Sequence, residues 1–284
     1  MKRIILPTDF SDNAYNAIQY ALKLFKEKEC AFYLLHTYTP AIYHSEYMLH
    51  SPGQIGLGDL YQTDTMVQLE ELKDRIHREF KNPKHTFFLH SAFNTLVDEI
   101  LDTIENEKAD LVIMGTQGAT GAKEILIGTN SVHVIKKATC PVILVPSSFE
   151  YEKPKEILFP TDYEVDYQQE HLQELVAIAR EHMSRIEVLH VSQGLDLNEE
   201  QLTHKKKLDT ILADVAHLFH DLPQQQIITA INNFQLKMRK NLLVMIQNKH
   251  TFLERLFIEP IIKKIGFHVT IPFMVIPPYK KNEK

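Results

Sequence analysis

The sequence predicts an α/β fold in which two parallel-sheet units follow one another, and three observations predict it. Short apolar runs without polar alternation, which suit strands buried on both faces, alternate with stretches of helical period. A glycine-rich loop joins one such run to a helix start. The pattern of the first half then returns in the second.

The 284 residues are enough for two domains, each with its own core. With 44% hydrophobic and 24% charged residues the composition is that of a globular protein. A net charge of −6 argues against nucleic acid as the main partner. Cys30 and Cys140, each beside apolar residues, read as buried reduced thiols rather than a disulfide or metal pair. No apolar run reaches the ~18 residues of a membrane span and no leader pattern precedes Arg3, so the expected location is cytoplasmic, with no membrane partner.

The first strand is expected within Met1 to Asp9, an apolar run ending in Pro-Thr-Asp. Ser11 is positioned to cap a helix whose inward face is Ala14, Ile18, Ala21, Leu22 and Phe25. Ala31 to Thr37 is the second strand. Pro40 to Thr63 has no clear period and is long for a connection, a lid or an insertion. Met66 to Phe80 has helical spacing, Thr86 to Leu89 is a short strand, and Thr95 to Ile104 is a helix with Leu96, Ile100 and Leu101 inward.

Leu111 to Met114 opens the fourth strand, and Pro141 to Pro146 forms the fifth. Between them lie Gly115, Gly118, Gly121 and Gly128, four of only nine glycines, then Thr129 and Asn130 at a helix start. Backbone N–H groups approach a phosphate closely where no Cβ intervenes, and a helix's first turn favours an anion. Turn chemistry alone is the competing reading. The spacing, Gly-x2-Gly-x9-Gly-Thr, is neither a Walker loop nor GxGxxG.

A Ser, Pro and charged stretch near Ser147 to Lys155 reads as a linker, and the pattern restarts after it. Ile157 to Asp162 repeats Ile4 to Asp9, Val188 to Val191 repeats Leu34 to Thr37, and Leu242 to Pro277 lies on Leu111 to Pro146 without a gap. The second copy is shorter after its second strand, where the first carries the Pro40 to Thr63 tract.

This loop, in this strand and helix context, resembles the nucleotide loop of the universal stress protein family, and with the repeat the whole chain resembles a tandem member. The domains are then residues 1–148, which bind nucleotide, and 153–284, a degenerate copy. The resemblance implies two five-stranded sheets of order 3-2-1-4-5, packed as an internal pseudo-dimer through Pro141 to Val145 and Pro272 to Ile276, with further homodimerisation open.

In such a sheet the ligand crevice lies where strand order reverses, here between strands one and four. The resemblance assigns Asp9, with Thr8 beside it, and Thr37 to the adenosine of ATP. A carboxylate there suits ribose hydroxyls or the adenine amino group, and suits a helix cap equally. Thr37 stands where a small apolar residue is common. The phosphates are expected at Gly115, Gly118 and Gly128, with Thr129 and Asn130 as further donors and Met114 at the strand end. Lys123 reads as a surface residue.

In the second copy Gly115, Gly118, Gly128 and Thr129 become Ile246, Lys249, Glu259 and Pro260. A like charge at ~4 Å costs roughly 1 to 4 kcal/mol, against about 8 kcal/mol for a micromolar ligand. One nucleotide per chain is the expectation.

Fifteen histidines raise the question of metal, but the spacing of His44 and His50 reads as solvent-exposed, and His36 and His190 as packing residues shared by both copies. Ser131 and His133 do not face one another on a helix. The functional expectation is an ATP-binding, non-enzymatic sensor or regulator with an unidentified protein partner. A slow ATPase using Mg2+ or Mn2+, and a nucleotide-independent interaction module, are the alternatives.

Overall fold

The computed structural model describes residues 1–38, 57–116, 127–192, 196–223, 227–237, 240–247 and 270–278, among which are ten strands and seven helices. The first half runs β1 (Lys2–Pro7), α1 (Asp12–Leu24), β2 (Cys30–Thr37), α2 (Leu57–Phe80), β3 (His85–Ala92), α3 (Leu96–Glu107), β4 (Leu111–Gly115), α4 (Thr129–Lys137) and β5 (Val142–Val145). The second runs β6 (Glu156–Pro160), α5 (Gln173–His182), β7 (Arg185–Ser192), α6 (Glu199–Leu212), β8 (Ala216–Pro223), α7 (Ile227–Lys237), β9 (Leu242–Ile246) and β10 (Phe273–Ile276).

All ten strands form one sheet, ordered β3-β2-β1-β4-β5-β10-β9-β6-β7-β8. From each outer edge inward the order is third, second, first, fourth, fifth, as the resemblance implied. Pairing is parallel within each half and antiparallel only between β5 and β10, where Leu144, Ile143 and Val142 face Phe273, Met274 and Val275. The fifth strands therefore join the halves. Antiparallel pairing there brings the end of β10 beside the start of β5.

Alternation along each strand divides the core between the two faces. Ile4 and Leu6 of β1 pack with Ile18 and Leu22 of α1 and with Leu69, Leu72 and Ile76 of α2, while Ile5 faces Val97, Ile100 and Ile104 of α3 and Val132 and Ile135 of α4. In the second half α5 and α6 join the first face and α7 the second. Both faces are covered, which is why the strands read as continuous apolar runs.

Ser11 caps α1 by accepting from the Ala14 N–H, and all five expected inward residues of that helix are buried. Two expectations need correction. The helix expected from Met66 begins at Leu57, so the end of the aperiodic Pro40 to Thr63 tract is helical. The polar residues Gln62, Thr63 and Asp64 conceal the period there. The third strand extends to Ala92, beyond the expected Leu89, because its outer residues His90 and Ser91 are held in register by β2. The rest of that tract, 39–56 with His44 and His50, lies outside the described residues.

The halves also touch where the start of β1 and the end of α1 meet α5. Lys2 Nζ lies 2.5 Å from Glu174 Oε2, and His182 Nε2 donates to the Leu24 carbonyl at 2.9 Å. Cys30 and Cys140 are free and buried, and burial pushes both thiols up to about 12. Among the described residues no helix is long and apolar enough to cross a membrane.

Candidate functional site

The end of β1 makes a tight turn. Thr8 N–H continues the ladder to the Leu35 carbonyl at 2.8 Å, and Thr8 Oγ1 accepts from the Phe10 N–H at 3.0 Å. Asp9 Oδ1 accepts from the Ser11 N–H at 3.1 Å and from its hydroxyl at 2.5 Å. Phe10 takes a left-handed conformation, φ 62°, costly for a side chain with a Cβ and held here by the Thr8 hydroxyl. His36 Nδ1 donates to the Thr8 carbonyl at 2.7 Å, and its ring lies 4.6 Å from that of Phe10.

Beside this turn β4 ends at Gly115. An added Cβ there would meet Asn13 Nδ2 of α1 at 2.6 Å, so the bare position lets α1 approach the strand. Ser131 Oγ, buried, donates to the Gly115 carbonyl at 3.2 Å and ties α4 to the strand end. Gly128 N–H donates to the Thr116 carbonyl at 2.6 Å, closing the two ends of the loop on each other. The N–H expected to meet a phosphate at Gly128 is thus engaged within the loop. Gly128 is instead the N-cap of α4, with no side-chain cap. The N–H groups of Thr129, Asn130 and Ser131 then have no partner within the helix.

α4 has no acidic residue in its first turn and Lys136 and Lys137 in its last. The positive end of its dipole therefore has no carboxylate of its own helix to offset it. Between this helix end and the β1 turn is a cavity of about 410 Å³. Thr8, Asp9 and Thr37 line one side, and Met114, Gly115, Gly128, Thr129 and Asn130 the other. Eight of the nine residues singled out from sequence meet in one crevice. The ninth, Gly118, lies outside the described residues, as do Gly121 and Lys123.

His36, Leu96 and Ser131 also line the cavity, and sequence reasoning assigned none of them to it. His36 has the packing role expected of it, on the Thr8 carbonyl, and lines the crevice as well. The signal that could have found it is its place immediately before Thr37 at the strand end. Cavities of about 530 and 550 Å³ elsewhere are larger, so volume does not single out this one. The backbone turn opposite an open helix N-terminus does.

The second half repeats the β1 turn closely. Thr161 N–H meets the Leu189 carbonyl at 2.8 Å, Tyr163 N–H the Thr161 hydroxyl at 3.0 Å, and Glu164 N–H Asp162 Oδ1 at 3.1 Å. Tyr163 has φ 58°, and His190 Nδ1 donates to the Thr161 carbonyl at 3.0 Å. Asp162 holds this turn. The turn is therefore architecture first, present in both copies.

What differs is the neighbouring strand end. β9 closes on the buried Ile246 where β4 closes on Gly115, and Tyr167 OH is hydrogen-bonded to Thr161 Oγ1. Lys249, Glu259 and Pro260 lie outside the described residues. Lys205 and Lys207 of α6 pair with Asp221 and Asp166.

A crevice at the reversal of strand order, walled by a glycine-ended strand and a helix N-terminus, defines an open-sheet α/β protein with its candidate ligand site at the carboxyl ends of the strands. Residues 1–146 match the sequence model of the universal stress protein family, and the chain belongs to that family. It is 32% identical over 155 residues to Universal stress protein MJ0531 of Methanocaldococcus jannaschii, covering 54% of this chain and 84% of that protein. Universal stress protein MJ0577 of the same organism is 32% identical over 158 residues, covering 51% of this chain and 94% of the relative. The crystal structure of a universal stress protein from Archaeoglobus fulgidus covers 97% of this chain and 98% of its own, at a TM-score of 0.69 and 16% identity. At that identity the likeness is one of fold, and it extends over both halves.

Proposed function

We propose that this chain is an ATP-binding regulator with a single nucleotide site in residues 1–148, and that residues 153–284 are a degenerate copy serving as its built-in partner. The observation that carries the reading is the meeting of Asp9 and Thr37 with Gly115, Gly128, Thr129 and Asn130 around one cavity. Asp9, which is exposed, and Thr37 take the adenosine, as in ATP-binding members of the family. The first-turn N–H groups of α4, with the Thr129 hydroxyl, take the phosphates. Gly118 belongs to the same phosphate contact.

A divalent ion, Mg2+ or Mn2+, would meet one carboxylate among the described lining residues, Asp9, and no step is assigned to it. The reading is of a sensor rather than a hydrolase, working in the cytoplasm through a protein partner. α4 gives it a route to the second half, because Gln247 Nε2, at the end of β9, reaches the Lys136 carbonyl in the last turn of α4 at 3.5 Å.

Calorimetric titration with ATP tests this. One site per chain is expected, lost in Gly118→Val and Gly128→Glu while the melting temperature holds. Two equivalent sites per polypeptide, or full affinity in both variants, would refute it.

A further inference from the structure

β3 is an outermost strand of the sheet, and among the described residues no strand lies on its outer side. The Lys84 carbonyl accepts from the Cys30 N–H and the Ala92 carbonyl from the Tyr38 N–H, both at 3.0 Å, with an unbroken register between them. In parallel pairing alternate residues turn their main chain to the same neighbour, so Thr86, Phe88, His90 and Ala92 bond to β2. The N–H and C=O groups of Phe87, Leu89 and Ser91 point the other way. Their donors and acceptors are left at the edge.

The two edges of the sheet are built differently. β3 holds no Lys, Arg, Asp, Glu or Pro, whereas β8 carries Asp221 and ends in Pro223. Charge and proline are what keep an edge strand from pairing with another chain. On one face of β3, Phe87 and Leu89 pack into the core beneath α2. On the other, Phe88 is 43% exposed, its ring stacked on that of Tyr33 with centroids 5.1 Å apart, and Phe93, just beyond the strand, is 53% exposed.

We propose that β3 is the docking edge for a second copy of this chain, the two β3 strands pairing antiparallel about a twofold axis at Leu89. In that register Leu89 faces Leu89 of the second copy, Phe87 faces Ser91, and Phe88 faces His90. Outward main-chain groups then meet outward groups, each of the Leu89 and Phe87–Ser91 pairs exchanging both of its hydrogen bonds. No pair sets like charges together, and His90 Nε2 is already paired with Glu99 Oε1 at 2.6 Å. The strand is thus its own complement, which a foreign segment would have to match residue by residue. Uncharged strands already join in this way at the seam, where β5 and β10 pair antiparallel. The blunted β8 edge closes the assembly at two chains, since an isologous contact uses the same patch twice. This edge lies far from the seam in the strand order, so the pairing leaves the joined halves and the nucleotide crevice as they are.

Sedimentation equilibrium and amide hydrogen exchange on the full chain without nucleotide test this. Between about 1 and 100 µM a species of twice the monomer mass is expected. The amides of Phe87, Leu89 and Ser91 should exchange ~5-fold or more slowly at the higher concentration, while those of Phe88 and His90, already bonded to β2, change little. Phe88→Lys, at an exposed position, sets positive charges close to the axis and should return the chain to monomer with its melting temperature held; Leu218→Lys, equally exposed on β8, should leave the dimer intact. The exchange measurement needs no variant, so it decides the matter should Phe88→Lys fail to fold. The proposal is overturned if the chain stays monomeric at about 100 µM, if a dimer forms with no slowing at those three amides, or if Leu218→Lys disrupts it as much as Phe88→Lys.

Discussion

Substituting Asp9 by Asn separates the two jobs this residue has been given. In the fold, Asp9 Oδ1 accepts from the Ser11 N–H at 3.1 Å and from the Ser11 hydroxyl at 2.5 Å. An Asn carbonyl accepts both, so the turn survives and the cost in stability stays below about 1 kcal/mol. Toward a ribose or an adenine amino group the change is larger. A hydrogen bond to a charged acceptor contributes about 1.5–3 kcal/mol, against about 0.5–1.5 for a neutral one, leaving a loss of roughly 1 to 2 kcal/mol.

Removing the charge also relieves repulsion of the phosphates, but at ~10 Å in water each phosphate charge gives back about 0.4 kcal/mol before salt screening and roughly a third of that with it, about 0.5 kcal/mol for the whole triphosphate. The hydrogen-bond loss wins. ATP affinity is therefore expected to fall ~2- to 13-fold by calorimetry, and adenosine affinity ~5- to 30-fold, since adenosine has no phosphates to gain. Asp162→Asn is the matched control, because Asp162 holds the same turn at the same 3.1 Å in the second half. It should cost as little stability and leave ATP binding unchanged. Equal losses of ATP affinity in the two variants, or none in either, would refute the placement of the site.

Three further outcomes are expected. Gly115→Ala drives a Cβ to 2.6 Å from Asn13 Nδ2 and should lose about 1–3 kcal/mol in urea unfolding, much of it absent in an Asn13→Ala background; equal losses in the two backgrounds would show the contact to be irrelevant. Phe273→Ala, at a fully buried position of β10 opposite Leu144, should cost about 3–5 kcal/mol, and a loss below ~1 kcal/mol would contradict the seam described here. Burial lowers His85, His171 and His182 below 6.5, so the unfolded chain binds these protons first. Their contribution is complete above pH 6.5 and is lost as pH falls below it toward the folded values. Buried Glu174 and Glu181, both raised above 4.5, act in the opposite sense. His182→Gln, which can still donate to the Leu24 carbonyl, should therefore flatten the fall in stability between about pH 7 and 5.5, and an unchanged slope would exclude His182 from it.

Much of this molecule was legible in its sequence. The run Ile4 to Pro7 could only be a strand buried on both faces, and Ser11 a cap, because local composition and backbone donors decide such elements. The repeat of Ile-Ile-Leu-Pro-Thr-Asp as Ile-Leu-Phe-Pro-Thr-Asp foretold a second strand ending at Asp162, and Ile246 in the place of Gly115 foretold that no glycine-ended strand stands beside it. The start of α2 was hidden because Gln62, Thr63 and Asp64 carry no apolar period on the part of the helix before its packed face. His36 was read as packing alone, because nothing local says that one side of its ring opens on a crevice.

The sequence by itself determined the order of elements, the doubling of the unit, and the glycines that mark one strand end, since each depends on neighbours within a few residues or on a comparison of the chain with itself. Only the tertiary structure decided which hydrogen bonds the loop ends spend on each other, as Gly128 does on Thr116. It also decided that Glu174, from the second half, is buried against Lys2 of the first. Residues 172 positions apart share that environment only because β5 and β10 pair across the seam, and no local pattern reports the loss of water there.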